Sequence, residues 1–214
     1  MPTLQVLRFC TAKMTTTLNL AQTVACTEAE GPGRRFALWF QGCPLRCPGC
    51  CNPEMLPFSG GRATPLDEVL ADLDAATAQS DIEGITLLGG EPLAHAAAGA
   101  ALARAARQRG LSVMVFTGYT LAEAYALADP AVAELLGVTD LLVDGPYRQD
   151  QPEPWRRWIG SANQQVHFLT DRYRPDDSCW RRPNTLEFRL ERGHVTVNGF
   201  PARSAVGLWK RGPR

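Results

Sequence analysis

Four of the seven cysteines fall between Cys43 and Cys51, directly after the apolar run Phe36 to Phe40. That run has the length and composition of a buried strand, and the Gly and Pro residues behind it mark a loop. A thiol-rich loop is thereby predicted at the carboxyl end of a strand, where α/β proteins place their chemistry. The spacing C-x3-C-x2-C of Cys43, Cys47 and Cys50 lets three thiolates converge on one inorganic centre. A fully ligated [4Fe–4S] cluster takes four cysteines. Three leave one iron open to a small molecule, which points to catalysis more than to electron transfer alone. The competing reading is a structural zinc ion with Cys51 as fourth ligand. Against it, neighbouring side chains such as those of Cys50 and Cys51 diverge. The loop by itself leaves both readings open.

A chain of 214 residues has room for one domain with a sizeable core. No apolar run approaches the length of a membrane span, and no charged start followed by an apolar block marks a signal peptide. An odd number of cysteines, bunched, argues against a disulfide framework and for a reducing cytoplasm. Net charge is zero, yet residues 1–147 carry nine basic against fifteen acidic side chains, and residues 148–214 carry thirteen against seven. The excess reads first as a solvated surface and second as a docking face for an acidic partner. No aromatic–basic interleaving marks a nucleic-acid module, so neither nucleic acid nor membrane is an expected partner.

Residues 1–17 read as an N-terminal extension without regular structure, with Met14 as an alternative start. A strand is expected from Leu18 to Cys26, then a tight bend at Gly31-Pro32-Gly33. After the cysteine loop, Thr64 reads as an N-cap and Pro65 as the first residue of a helix through about Gln79. Strands at Gly84 to Leu88, Leu111 to Phe116 and Asp140 to Asp144 alternate with helices at Leu93 to Arg109, Leu121 to Leu127 and Pro130 to Leu136. A fifth strand is expected at Gln165 to Leu169. Thr185–Leu190 and His194–Asn198 read as a terminal β-hairpin. The alternation predicts an α/β fold with a parallel sheet and right-handed crossovers, open or closed as a βα barrel. Its divisions are the extension at 1–17, the body at 18–170, and a C-terminal loop and hairpin at 171–214.

Cys43-x3-Cys47-x2-Cys50 followed by Gly89-Gly90-Glu91-Pro92 resembles the radical SAM superfamily. Within it, Glu30-Gly31-Pro32-Gly33, Phe116-Thr117-Gly118-Tyr119-Thr120, Val143-Asp144-Gly145-Pro146 and Gly160-Ser161-Ala162-Asn163-Gln164 are similar to the activating enzymes of anaerobic ribonucleotide reductase. The resemblance runs from about Leu18 to Leu169. It implies an incomplete (β/α) barrel in which the three cysteines hold a [4Fe–4S] cluster and S-adenosyl-L-methionine (SAM) chelates the open iron. Reductive cleavage of SAM then gives methionine and a 5′-deoxyadenosyl radical, which takes a hydrogen from a glycine Cα of a partner enzyme. The implied partners are a glycyl-radical enzyme, or another protein or peptide substrate, and an electron donor such as flavodoxin or ferredoxin.

On this reading Gly89 and Gly90 let the strand-end backbone approach the methionine moiety. Glu91 accepts a hydrogen bond from the SAM ammonium, or caps the helix that follows. Thr117, Ser161 and Asn163 are candidate polar contacts to SAM, each with an ordinary turn role as the alternative. Asp144 is a candidate charge near the cofactor or a turn former before Gly145. Arg46 tunes the cluster by charge or is simply solvated, and His95 is the histidine nearest the GGEP loop. Two features depart from the family pattern. Cys51 stands where members usually carry an aromatic residue, and the C-terminal hairpin with Phe200 and Pro201 is unlike the short end expected. A radical SAM enzyme acting on a peptide or small molecule is the first alternative, and a non-catalytic iron–sulfur or zinc module the second.

Overall fold

The computed structural model describes residues 16–191 and 194–200. The reading of residues 1–15 as an extension, with Met14 and Cys10, lies outside these residues, as does Pro201. The strands are β1 (Thr17–Thr27), β2 (Arg35–Phe40), β3 (Arg62–Pro65), β4 (Gly84–Gly89), β5 (Ser112–Phe116), β6 (Leu141–Asp144), β7 (Gln165–Phe168), β8 (Leu186–Glu191) and β9 (His194–Gly199). The helices are α1 (Leu66–Gln79), α2 (Ala96–Gln108), α3 (Leu121–Ala126) and α4 (Pro130–Gly137).

Seven strands form one sheet in the order β3-β1-β2-β4-β5-β6-β7, and β8 and β9 form the expected hairpin. The four central strands β2, β4, β5 and β6 are parallel. All are nearly continuous apolar runs, because a parallel strand is covered on both faces. The flanks correct the all-parallel expectation: β1 pairs antiparallel with β2, β3 antiparallel with β1, and β7 antiparallel with β6. A parallel neighbour needs a crossover, usually helical. The chain from β6 to β7 contains no helix and turns straight back. Strand β3 was not anticipated. It takes up Thr64, which pairs with Leu18, and Pro65 becomes the residue capping α1. Thr64 therefore does not cap the helix; its hydroxyl donates to Arg62 O at 3.2 Å.

Side chains alternate across the sheet. Phe36, Leu38 and Phe40 with Ile85, Leu87, Val113, Val115 and Leu142 face the helices, meeting Val69 and Leu73 of α1, Ala100 and Ala103 of α2, and Leu135 of α4. The other face carries Ala37, Trp39 and Leu88, covered by Met55. It continues through Met114, Leu141 and Val143, covered by Trp158, Ile159, Trp180 and Phe200. Helices thus lie on one side, and the end of the cysteine loop together with chain from beyond β6 lies on the other.

The amino ends of the parallel strands are tied by two buried charged residues. Arg35 is fully buried and donates to Thr86 Oγ1 (3.0 Å), Ser112 Oγ, Ile85 O and Tyr173 OH (3.3 Å). Asp140, also fully buried, accepts from Val113 N (2.8 Å), Thr170 Oγ1 (2.6 Å) and Arg107.

Candidate functional site

The carboxyl ends of the parallel strands are joined in a row, largely through backbone. The β2–β4 ladder continues past both strands: Gly90 N donates to Phe40 O (2.8 Å) and Glu91 N to Gly42 O (2.9 Å). The cysteine loop and the GGE segment are therefore one hydrogen-bonded seam. Gly89 sits at φ +102°, and a Cβ on Gly90 would lie 2.3 Å from Gly42 O, so the close approach requires glycine. On the next strand, Thr117 Oγ1 donates to Glu91 Oε1 (2.8 Å) and Gly118 N to Glu91 Oε2 (2.9 Å). Gly145 N then donates to Tyr119 O (2.9 Å), and Leu121 N to Asp144 Oδ2 (2.7 Å). Asn163 Nδ2 donates to Pro146 O (2.8 Å) and Gln164 Nε2 to Gly145 O (2.9 Å), which closes the row.

Within the cysteine loop, Gly42 N and Cys43 N donate to Met55 O and Leu56 O, and Cys50 N to Cys47 O. Arg46 is exposed, yet donates to the carbonyls of Cys43 and Leu56 and so braces the loop from its solvent side. Gln41 does the same from the other side, donating to Glu54 O and Pro57 O. Cys43, Cys47, Cys50 and Cys51 are all free thiols; Cys43 is buried, Cys47 and Cys50 are half-buried, and Cys51 is exposed. Burial pushes the Cys43 thiol up. A hydrogen bond from Cys51 brings Cys50 down to about 6, and the same contact pushes Cys51 up.

Glu91 is buried, and desolvation raises its carboxyl to about 7 against the pull of its donors Gly118 N, Leu93 N and Thr117 Oγ1. Its bond from Leu93 N is the cap on the short 3-10 turn that precedes α2. Its carboxylate thus joins the segments after β4 and β5, while its backbone N–H ties them to the loop after β2. Ser161 Oγ accepts from Arg148 N (3.0 Å), a turn role. Asp144 Oδ2 also lies 2.8 Å from His167 Nε2. Asn163 differs: its Oδ1 is buried and finds no hydrogen-bond partner among the described residues, which leaves an acceptor for a ligand. His95 stacks flat on Phe40, with ring centroids 5.1 Å apart, behind the cysteine loop.

The sequence-identified residues therefore form two linked groups. Cys43, Gly89, Gly90, Glu91 and Thr117 share one network; Asp144, Ser161 and Asn163 share a second, joined to the first through Gly145 and Tyr119. Tyr147 joins the site without having been marked by any motif. Burial raises its phenol, and the nearby thiols of Cys51 and Cys50 raise it further. Its place directly after Gly145-Pro146, at a strand end, was the available signal.

The donor set suits an iron–sulfur cluster: three soft thiols on one loop with no carboxylate or imidazole among them. Among the described residues no three His, Cys, Asp or Glu side chains converge as on a single metal ion. The buried Asn163 Oδ1, without a partner among the described residues, suits a small ligand beside such a cluster.

Residues 29–167 match the family model described as a 4Fe-4S single cluster domain. The chain is 34% identical over 160 residues to the anaerobic ribonucleoside-triphosphate reductase-activating protein of Vibrio cholerae, covering 72% of this chain and 99% of that protein. It is 35% identical over 159 residues to the protein of the same name from Escherichia coli K12, covering 71% and 99%. Among solved structures, QueE from Escherichia coli aligns with a TM-score of 0.38 at 19% identity, over 49% of this chain and 54% of that one. No described helix is long and apolar enough to cross a membrane.

Proposed function

The chain belongs to the family of anaerobic ribonucleoside-triphosphate reductase-activating proteins, and on that premise we propose that it installs a glycyl radical on a partner enzyme such as anaerobic ribonucleotide reductase. The observation that carries the reading is the seam of Gly90 N to Phe40 O and Glu91 N to Gly42 O, which sets the GGE backbone against the root of the cysteine loop. When bound, a [4Fe–4S] cluster with SAM on its open iron supplies, on one-electron reduction, a 5′-deoxyadenosyl radical that takes hydrogen from a glycine Cα.

The protein's part is to bind, orient and exclude water. Cys43, Cys47 and Cys50 would hold three irons of the cluster. Gly89 and Gly90 let the backbone that carries Glu91 pack directly on the root of the cysteine loop, which brings the strand end to the methionine moiety. Glu91 Oε2 receives one hydrogen bond within the protein and retains a lone pair for the SAM ammonium. A cation there favours the ionised carboxylate that burial alone disfavours. Thr117 fixes the Glu91 carboxylate in place, and Asn163 Oδ1 offers an acceptor to the ribose or ammonium. Asp144 and Ser161 act at one remove, by shaping the loops that carry Tyr119 and Asn163.

The parallel strands with helices on one face support an incomplete (β/α) barrel of the radical SAM type, with residues 18–170 as its body and 171–214 as an added loop and hairpin. The electron donor, a flavodoxin or ferredoxin, would approach the outer side of the cysteine loop, where Cys51 is exposed. Free thiols at the described cysteines suit a reducing cytoplasm.

The test is to mix the reconstituted protein, SAM and a reductant with anaerobic ribonucleotide reductase under argon and record the electron paramagnetic resonance spectrum. A glycyl-radical doublet that disappears when the reductase's target glycine is replaced by alanine supports the proposal. SAM cleavage without the doublet rejects this partner.

A further inference from the structure

We propose that Gln149, Tyr147 and Ser161 are positioning residues for the cluster, bracing from outside the turn that sets the spacing of Cys47 and Cys50. The inference rests on the reading of Cys43, Cys47 and Cys50 as ligands of that cluster. Between Cys47 and Cys50 the chain makes a tight turn with Pro48-Gly49 at its centre, closed by Cys50 N donating to Cys47 O (3.1 Å). Gly49 takes φ +72°, the left-handed corner that a type II turn reserves for glycine. Pro48 and Gly49 are both exposed, so neither anchors the turn in the core. The anchor comes from the connection that follows β6. A Cβ built on Gly49 would sit 2.3 Å from Gln149 Oε1, 2.8 Å from its Cδ and 3.1 Å from its Cβ. The Gln149 side chain therefore lies along the turn, directly against the residue before Cys50.

The connection is itself pinned from below. Ser161 is fully buried, and its Oγ accepts from Arg148 N (3.0 Å), the backbone group between Tyr147 and Gln149. Asn163 Nδ2 donates to Pro146 O (2.8 Å), and Ala162 N to Gln151 O (2.7 Å). Three bonds thus fix the backbone before, between and after the two bracing side chains. The Tyr147 ring rests on Gly160, where an added Cβ would meet Tyr147 Cδ2 at 3.4 Å. In that position its phenol is near enough to the thiols of Cys51 and Cys50 to feel their charge. A ligand pair on a surface turn loses order unless something outside the ligands holds it, and groups that orient ligands tune how firmly a metal centre is kept. The segment Gly160 to Gln164, more than a hundred residues from the cysteines, thereby acts on the cluster through Tyr147 and Gln149.

Two measurements on the full chain test this, and neither uses SAM. In hydrogen exchange of the cluster-free protein, Gln149→Ala and Ser161→Ala should each speed exchange at Cys50 N by about fivefold or more. Trp155→Ser, in the same connection but 81% exposed, should leave that rate at the parent value. In the reconstituted protein, the half-life of the cluster under air, followed by its visible absorbance, should fall about tenfold in Gln149→Ala and in Tyr147→Ala. The melting midpoint of cluster-free Gln149→Ala should match the parent, since that side chain is exposed, which separates a local brace from general destabilisation. Unchanged exchange at Cys50 N in Gln149→Ala, or an equal increase in Trp155→Ser, overturns the brace. A cluster that outlasts air equally well in Gln149→Ala and the parent overturns its role at the cluster. Failure of the parent to assemble any cluster would strike the functional reading instead, and the exchange result would still decide whether the brace exists.

Discussion

The two edges of the parallel sheet are built on opposite principles. At the amino edge, Arg35 and Asp140 are charged, buried and saturated by partners from neighbouring strands and from the segment around Thr170 and Tyr173. At the carboxyl edge, the joints are mostly backbone to backbone, glycine stands where side chains would obstruct, the cysteines form no disulfide, and the buried Asn163 amide oxygen has no hydrogen-bond partner among the described residues. Saturation at one edge and residual capacity at the other separate what holds the fold from what is free to hold a ligand. A buried polar group fully bonded within the chain is a structural element, and an unpartnered one invites a partner.

That contrast can be broken or sharpened by substitution. The largest effect belongs to Cys43, Cys47 and Cys50: replacing any one with Ala should abolish SAM cleavage entirely. The melting curve of the cluster-free protein should move by only about 1 kcal/mol. Next, Gly90→Ala, forced against Gly42 O, should cut SAM cleavage by about a hundredfold through misplacement of the loop, read as 5′-deoxyadenosine per minute. At the other edge the pattern should invert. Asp140→Ala strands Val113 N and the Arg107 guanidinium and should cost about 4 kcal/mol in urea unfolding, while iron bound per chain at low denaturant stays at the parent value.

A pH effect comes from Glu30, buried between β1 and the hairpin. Desolvation raises its carboxyl to about 7, and the bond from Asn198 only partly opposes this. A carboxyl with a raised native pKa leaves stability intact below its unfolded value, near 4.5, and erodes it as pH climbs to about 7. The loss should reach about 3 kcal/mol and level off above pH 7, and Glu30→Gln should flatten that part of the profile. The smallest effect is expected for Cys51→Ala, which should keep full iron content; complete loss of iron there would make Cys51 a ligand and revive the zinc reading.

Legibility in the sequence follows the same division. The strands β2, β4, β5 and β6 were readable because buried parallel strands are continuous apolar runs, and their carboxyl-end loops because Gly, Pro and Cys mark them locally. The direction of β7 and the existence of β3 were not. Arg62-Ala63-Thr64 has no apolar pattern and becomes a strand only because β1 offers it an edge. The missing helix between β6 and β7 was the overlooked cue that the chain reverses. In the site, the glycines, cysteines and Glu91 were found by motif. The bracing roles of Arg46 and Gln41, the turn role of Ser161 and the free acceptor on Asn163 depend on which carbonyl lies nearby, which no local pattern encodes. The contact of Glu30 with Asn198 spans 168 residues and is set by tertiary structure alone.

The most direct test of the account is anaerobic reconstitution with iron and sulfide, followed by dithionite and SAM, with 5′-deoxyadenosine and methionine quantified together. Equal amounts of the two products, absent when Cys47 is replaced by Ala, are the expected result. A cluster that assembles on the parent chain yet leaves SAM intact would contradict the account and leave the protein an iron–sulfur binding module.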